Sequence, residues 1–273
     1  MLFFRSLFTA VLLSLVSLAS QAAIPVVTFT MDPFDSLVLS GGHEYEIVQG
    51  NTFRVQVQGR GLSDPLVLQN DNTVSLGRSR TSMSADHSFK YRVETPYLTR
   101  LDVSGSGRLF VRPFLSSEPL MLNVAGSSAA YLYDWNSSRI TTRLSGSGTI
   151  EFAKLEAERM SVSMGGSGSI AVGEAQIQDL EASVAGSGEM VLAHEGTMVK
   201  NLTVNIAGSG GLEAEKSGFG TVVANIMGSG DVDLGPTERV LANIIGSGSV
   251  YYRGDAITES SVLGSGRLEQ ADD

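Results

Sequence analysis

Arg143-Leu144-Ser145-Gly146-Ser147-Gly148-Thr149-Ile150-Glu151-Phe152 is answered twenty residues later by Ser163-Met164-Gly165-Gly166-Ser167-Gly168-Ser169-Ile170-Ala171-Val172, the same alternation around the same Gly-Ser-Gly centre. Working outward, the paired glycines recur as Gly105/Gly107, Gly146/Gly148, Gly166/Gly168, Gly186/Gly188, Gly208/Gly210, Gly228/Gly230, Gly246/Gly248 and Gly264/Gly266, with Gly126-Ser127-Ser128 filling the one gap. The leading glycines are spaced 21, 20, 20, 20, 22, 20, 18 and 18 residues apart. A period this steady is the signature of stacked structural units and takes precedence over every other signal in the chain.

Two positions before each leading glycine the residue is apolar: Val103, Val124, Leu144, Met164, Val184, Ile206, Ile226, Ile244 and Val262. Four positions after it stand Leu109, Ala130, Ile150, Ile170, Met190, Leu212, Val232, Val250 and Leu268, and most repeats add another apolar residue two further on, such as Phe152, Val172, Leu192 and Leu234. The period is two, so these are strands with one face inward. The pattern predicts a strand of about five residues leading into each corner, another leaving it, and a connector of about eight residues of variable sequence. One such unit cannot bury its inner face, whereas a stack of them shares a continuous core. The expected fold is therefore all-β, a parallel β-helix (β-solenoid) of about nine coils, each of about 20 residues, turning on Gly-Ser-Gly corners. Glycine suits both positions of such a corner because a sharp bend calls for positive backbone dihedrals or for close approach to the next coil, and a stack of bends leaves no space for a β-carbon.

Three positions before each leading glycine the residue is polar: Asp102, Asn123, Arg143, Ser163, Ser183, Asn205, Asn225, Asn243 and Ser261. Stacked amides predict a hydrogen-bonded ladder between coils, with a binding stripe as the alternative. The chain divides into a signal peptide at residues 1–22, degenerate coils and a cap at 23–104, and the regular solenoid at 105–273, the last two forming one continuous domain. Leu37-Val38-Leu39-Ser40-Gly41 and Phe53 to Gly59 read as two degenerate coils 18 residues apart, and Leu66 to Leu68 and Phe89 to Val93 read as strands of a cap around a polar loop. An acidic tail, Glu269 to Asp273, is expected to discourage end-to-end contact.

Residues 1–22 hold one cation, Arg5, then an apolar run from Leu7 to Ala19 and small residues at Ser20 and Ala22. That arrangement predicts export with cleavage after Ala22, an uncleaved anchor being the alternative. No other apolar stretch approaches membrane-spanning length, which places the mature protein in the periplasm, the cell envelope or the medium. Without the leader, 18 Lys and Arg face 29 Asp and Glu, a net charge of −11, and no basic stripe appears, so nucleic acid is not an expected partner. The absence of cysteine excludes disulfides, thiol catalysis, Cys-ligated zinc and lipoprotein acylation.

Nothing in the sequence assembles a catalytic group, and no cofactor or metal is expected. His43, His87 and His194 are not at ligand spacing and read as loop residues. The residue after each corner is variable, so no carboxylate repeats as it would in a calcium-binding solenoid. The serines lie in corners and not in a strand-to-helix nucleophile elbow. An acidic strip of outward residues, Glu151, Glu189, Glu213, Asp231 and Asp233, is the one feature an enzyme acting on envelope polysaccharide would need. Binding has a better candidate in Phe110, Tyr131 and Tyr251, which share one outward column five positions after the corner glycine, with Tyr133, Trp135 and Tyr252 close by in sequence.

The Asp35-Ser-Leu-Val-Leu39 segment, the Gln49-Gly-Asn-Thr-Phe-Arg-Val55 segment and the Gly-Ser-Gly series together resemble the head GIN domain family of auto-transporter adhesins, over roughly residues 34 to 270. The resemblance implies a right-handed parallel β-helix exported by bacteria. The sequence lacks the many alternating strands with aromatic girdles that would form an auto-transporter's membrane barrel. The function expected is that of a non-enzymatic adhesin or cell-envelope scaffold holding a glycan or a cell-surface protein on its flat faces. A polysaccharide-acting enzyme and a self-assembling homo-oligomer are the alternatives.

Overall fold

The computed structural model describes residues 24–60, 65–78 and 88–271. The expected signal peptide, the polar loop ahead of Phe89 together with His87, and the last two residues of the acidic tail lie outside the described residues. The chain is an all-β solenoid in which consecutive coils pair in parallel and in register, corner upon corner: Gly105↔Gly126↔Gly146↔Gly166↔Gly186↔Gly208↔Gly228↔Gly246↔Gly264. At Gly166 the backbone has φ +115°, and a β-carbon added there would sit 2.4 Å from the Gly146 carbonyl oxygen of the coil below. Both the dihedral and the contact forbid a side chain. The corners are joined by backbone bonds such as Ser167 N–H to Gly146 O at 3.0 Å and Ser169 N–H to Gly148 O at 3.1 Å.

The second glycines correct the expectation that both members of a corner pair serve the bend alike. Gly107, Gly148, Gly168, Gly188, Gly210, Gly230, Gly248 and Gly266 lack the positive φ of the leading glycines and lie between strands, outside the paired register that ends at the first glycine. One left-handed residue is enough to turn the chain, so what excludes a side chain at the second position is contact alone. An added β-carbon would meet His43 O at 2.6 Å from Gly107, Gly188 O at 2.3 Å from Gly210, and the carbonyl of the coil below at 2.2 Å from Gly230, Gly248 and Gly266. At Gly188 the nearest atom is Met164 Sδ at 2.4 Å, which a flexible side chain can withdraw, and the Gly168 carbonyl oxygen is at 3.0 Å. Ser128 fills this position in one coil, so the second glycine is the less strict of the two.

Each regular coil has three sides, not two. The 18-residue strand Thr149–Gly166 turns inward Ile150 and Phe152, then Leu155 and Ala157, then Met160, Val162 and Met164, with bends where two successive residues point outward. The stretch read from the sequence as a variable connector is thus a third strand, paired in parallel with its neighbours through Trp135↔Leu155↔Ala175. Its short inward set and its polar, changing outward residues conceal the period of two. From Val103 to Ile244 no residue of the column two before the corner is more than 2% exposed.

The N-terminal region departs from the predicted order. Strand Ser36–Gly41 lies between Thr73–Arg78 and Arg100–Gly105, and strand Glu44–Gln49 lies between Lys90–Thr95 and Arg108–Val111, all in parallel. The layer formed by strands Thr73–Arg78 and Lys90–Thr95 therefore sits outside the layer formed by strands Ser36–Gly41 and Glu44–Gln49. Leu37 to Gly41 does make a coil, with Gly41 as its corner at φ +95°. Phe53 to Gly59 does not: strand Arg54–Gln58 runs antiparallel to Lys90–Thr95 and carries Val26–Thr30 antiparallel on its other side. Alternation in Val55 and Val57 marks a strand with one buried face, but not the direction in which it pairs. The strand after Phe89 is a layer of the stack, and closure of this end falls to Val26–Thr30, Arg54–Gln58 and Pro65–Asn70, the last antiparallel to Thr73–Arg78.

Candidate binding faces

The polar column before the corner forms the predicted ladder in two stretches, Asp102 to Asn123 and Asn205 to Asn243. Asn123 Nδ2 donates to Asp102 Oδ1 at 2.6 Å, Asn225 Nδ2 to Asn205 Oδ1 at 2.9 Å, and Asn243 Nδ2 to Asn225 Oδ1 at 2.9 Å. An in-register stack brings these side chains to hydrogen-bonding distance, and the bonds tie neighbouring coils together.

Of the three aromatic candidates, two meet. Phe110 and Tyr131 stack with ring centroids 5.3 Å apart and planes 11° from parallel. Tyr251 stands in the same column six layers further on, about 29 Å away at about 4.8 Å per layer. It has its own partner: Arg267 Nη2 donates to its hydroxyl at 2.6 Å, with the guanidinium 5.5 Å from the ring centroid. Beside Phe110 and Tyr131, the Arg112 guanidinium lies 5.0 Å over the exposed Tyr133 ring and pairs with Glu46 at 2.8 Å, which also pairs with Arg92 at 2.6 Å. Partial burial pushes the Glu46 carboxyl up, but the two guanidiniums outweigh it and hold it below the ordinary carboxylate range. Trp135 belongs to the core, stacked on Phe114 at 4.9 Å.

Histidines occupy unlike settings. His194 is exposed in the loop after Glu189–Leu192, but His43, read from the sequence as a loop residue, is buried among Tyr45, Phe89 and Tyr91, with its Nδ1 accepting the Phe89 N–H at 3.2 Å. It stands where later corners have their second glycine. Among the described residues no three His, Asp or Glu side chains are grouped so as to hold a metal ion.

The acidic strip is split. Glu151 shares a column with Glu213 and Asp233 but is separated from them by Ala171 and Val191, while Glu189 and Asp231 stand in the column two residues nearer the corner. Glu189 and Glu213 are adjacent, and their shared hydrogen bond, with partial burial and like charge, raises the Glu189 pKa. Burial, then the charges of Glu215 and Asp231, raise that of Asp233. Asp231 accepts the Ser249 N–H at 2.8 Å and so also ties two coils together.

One concave feature was not foreseen. A cleft of about 990 Å³ climbs the stack along the second bend, lined by the polar Asn136, Glu156, Gln176, Gln178 and Lys200 and by the apolar Met198 and Phe219 among others. Asn136 Nδ2 donates to Glu156 Oε2 at 2.9 Å and Gln176 Nε2 to Gly196 O at 3.1 Å, which orients the amides while leaving their remaining sites to solvent. A polar hollow of about 510 Å³ adjoins it across Arg159, Asp179 and Asn201. Before the corner runs an apolar trough of about 420 Å³ beside the Asn ladder, with Met164, Ile206, Met227 and Ile245 in its lining. Cleft residues fall in the stretch whose variability hid its strand, and their alternate outward spacing was the signal for them.

Fold and faces together define a repeat-built β-solenoid that presents ladders and clefts along its length. The sequence matches the profile of the family described as "Putative auto-transporter adhesin, head GIN domain" over residues 33–198 and 153–256. The chain belongs to that family. No match to a curated protein sequence was found. Among solved structures it is similar to a "putative adhesin" from Parabacteroides merdae, with TM-score 0.71, 18% identity and coverage of 92% of this chain and 97% of that one. A "putative adhesin" from Parabacteroides distasonis has TM-score 0.71, 18% identity and coverage of 91% and 97%. A "Putative lipid binding protein" from the same species has TM-score 0.65, 22% identity and coverage of 92% and 98%. At these identities the likeness is one of fold. Among the described residues no helix is long and apolar enough to cross a membrane.

Proposed function

We propose that this protein is a non-enzymatic adhesion module, exported by residues 1–22 to the cell envelope, that holds a glycan in the cleft along its second bend. The cleft carries the proposal: amide, carboxylate and ammonium groups stand beside apolar side chains such as Met198, and a sugar chain offers hydroxyls to the first and C–H faces to the second. Its residues vary from coil to coil while the inward columns do not, as suits a scaffold that keeps its core and changes its surface. Phe110 and Tyr131 supply a smaller aromatic contact on another face, and Tyr251 a separate one.

A glycan array probed with residues 23–273 tests this. Saturable binding without shortening of the glycan is expected, weakened about tenfold by Gln176→Ala with Gln178→Ala. Binding unchanged by that pair removes the cleft, loss with Phe110→Ala and Tyr131→Ala moves the site to the aromatic face, and chain shortening replaces adhesion by catalysis, with Glu189 and Glu213 as the first carboxylates to mutate. The apolar trough favours a second reading, a lipid acyl chain laid beside the Asn ladder, which flotation with phospholipid vesicles separates from glycan binding.

A further inference from the structure

The trough before the corner changes character along its length. One rim is the polar column of Ser163, Ser183 and the Asn ladder; the other, next to the corner, passes from small residues at Ala185 and Ala207 to large ones at Met227 and Ile245. Met227 and Ile245 are 63% and 54% exposed, although each has a coil on both sides. At the opposite end the small column continues to Gly165, where an added β-carbon would meet nothing within 4 Å. There the polar rim continues by one layer to Arg143, in register with Ser163. Among the described residues no carboxylate pairs with Arg143, and its in-register neighbours, Asn123 and Ser163, are uncharged. The nearest carboxylate of that column, Asp102, stands two layers away and is already held by Arg100 at 2.8 Å and Asn123 at 2.6 Å.

We infer that the trough holds one long-chain fatty acid, with its carboxylate on the Arg143 guanidinium and its methyl end beside Met227 and Ile245. The inference rests on the reading of the trough as an acyl-chain site, and adds the head group, the direction and the number of chains. From the Ser163 layer to the Asn243 layer there are four steps, about 19 Å at about 4.8 Å per layer. One acyl chain spans about 15 Å as half of a bilayer's hydrocarbon core, so a long chain lying extended fills the trough. The two rims are alternate outward residues of one strand, about 6.6 Å apart at about 3.3 Å per residue, a width for a single hydrocarbon chain. A carboxylate accepts two N–H groups of a guanidinium side by side. One cation without a partner at the end of an apolar trough therefore matches a ligand with one anionic head and one tail, whereas a phospholipid brings a second chain for which the rims leave no width. Along the tail, Asn225 and Asn243 already donate to Asn205 and Asn225, so hydrocarbon laid against this rim breaks none of these bonds. The cleft on the second bend stays open.

Displacement of a fluorescent fatty acid from the purified protein tests this, with palmitate, octanoate and methyl palmitate as competitors. Palmitate is expected to bind at one per chain. Octanoate should bind at least about tenfold more weakly, because it cannot reach from Arg143 to Met227, and methyl palmitate about tenfold more weakly, because it lacks the anionic head. Arg143→Gln should weaken palmitate about tenfold and leave methyl palmitate unchanged. Ala207→Trp, which fills the middle of the trough from an exposed position, should abolish binding of both, and circular dichroism melting confirms that each variant is folded. Equal affinity for palmitate and methyl palmitate, or palmitate binding lost with Ala207→Trp but indifferent to Arg143→Gln, overturns the inference while the acyl-chain reading stands. Two palmitates per chain overturn it in the same way. No binding of either ligand to the wild type overturns the inference and the acyl-chain reading together.

Discussion

The layers built from the described residues between 34 and 114 and the coils built from residues 120–253 share a corner but close their interiors by different means. In the first region the core holds Phe34, Tyr45, Tyr91 and Phe114, with Tyr45 and Tyr91 stacked at 5.2 Å and their hydroxyls donating to Ser40 O at 2.7 Å and Gly77 O at 2.6 Å. Its surface is tied by the pairs of Lys90 with Glu44, of Arg54 with Glu94, and of Glu46 with Arg92 and Arg112. The second region repeats aliphatic columns, with one glycine corner stacked on the next. A repeated coil solves its packing once and copies the solution. The start of the stack, where chain order and spatial order disagree, has no neighbour to copy and relies on particular contacts.

The largest expected effect breaks the corner. Gly166→Ala must fit a β-carbon 2.4 Å from Gly146 O at φ +115°, whereas the same change at the adjacent Gly165 meets nothing within 4 Å. Urea unfolding should show a loss of more than about 3 kcal/mol for the first and within about 0.5 kcal/mol of no change for the second. Gly41→Ala, in the irregular region, sharpens the contrast: its added carbon meets only the His43 ring at 3.5 Å, at φ +95°. It should lose only the dihedral cost, about 1 to 2 kcal/mol.

Next in size, Tyr91→Phe leaves the buried Gly77 carbonyl without this donor and should cost about 1 to 2 kcal/mol, read from the same unfolding curves. The two regions should also respond oppositely to acid. Glu46 and Glu94 are held below the ordinary 4.5, Glu94 first by the Thr52 hydroxyl and then, against slight burial, by Arg54. Their contribution is full above that value and is lost as pH falls through their lower folded pKa values. Glu189 and Asp233 are raised, so theirs is full below the ordinary values and is lost as pH rises through the folded ones. Amide exchange compared across mild acid should show protection falling around Lys90–Thr95 while it rises around Glu189–Leu192. Uniform change along the stack would contradict this.

The smallest effects lie on the surface. Asn225→Ala removes the bonds to Asn205 and Asn243 and should cost about 1 kcal/mol. Lys154→Ala breaks an exposed pair with Glu174 at 3.3 Å and should cost less than about 0.5 kcal/mol. Equal costs would mean the amide ladder contributes no more than a surface ion pair.

How much could be read beforehand follows the same division. The corners and the columns that contain Ile244 and Ile150 were legible because in-register stacking demands the same residue type at the same position in each coil. That the first glycine of a corner bends the chain while the second only makes room was not, since both repeat equally well and only the backbone dihedrals tell them apart. The third strand was hidden too, because a side with only two inward residues, such as Trp135 and Ser137, gives too few alternations to reveal a period. The cleft on that side went unseen with it. The column of Phe110, Tyr131 and Tyr251 was legible as a column, but only layer spacing shows that two of its rings touch and the third stands apart.

The sequence by itself determined that coils would stack, where each would turn and which side chains would face inward, because those properties are local and repeat along the chain. Only the tertiary structure decided that strands Thr73–Arg78 and Lys90–Thr95 lie outside strands Ser36–Gly41 and Glu44–Gln49, and that Arg54–Gln58 runs antiparallel. Each of these depends on which strand pairs with which, and a buried face formed by alternating residues is satisfied equally well by several partners.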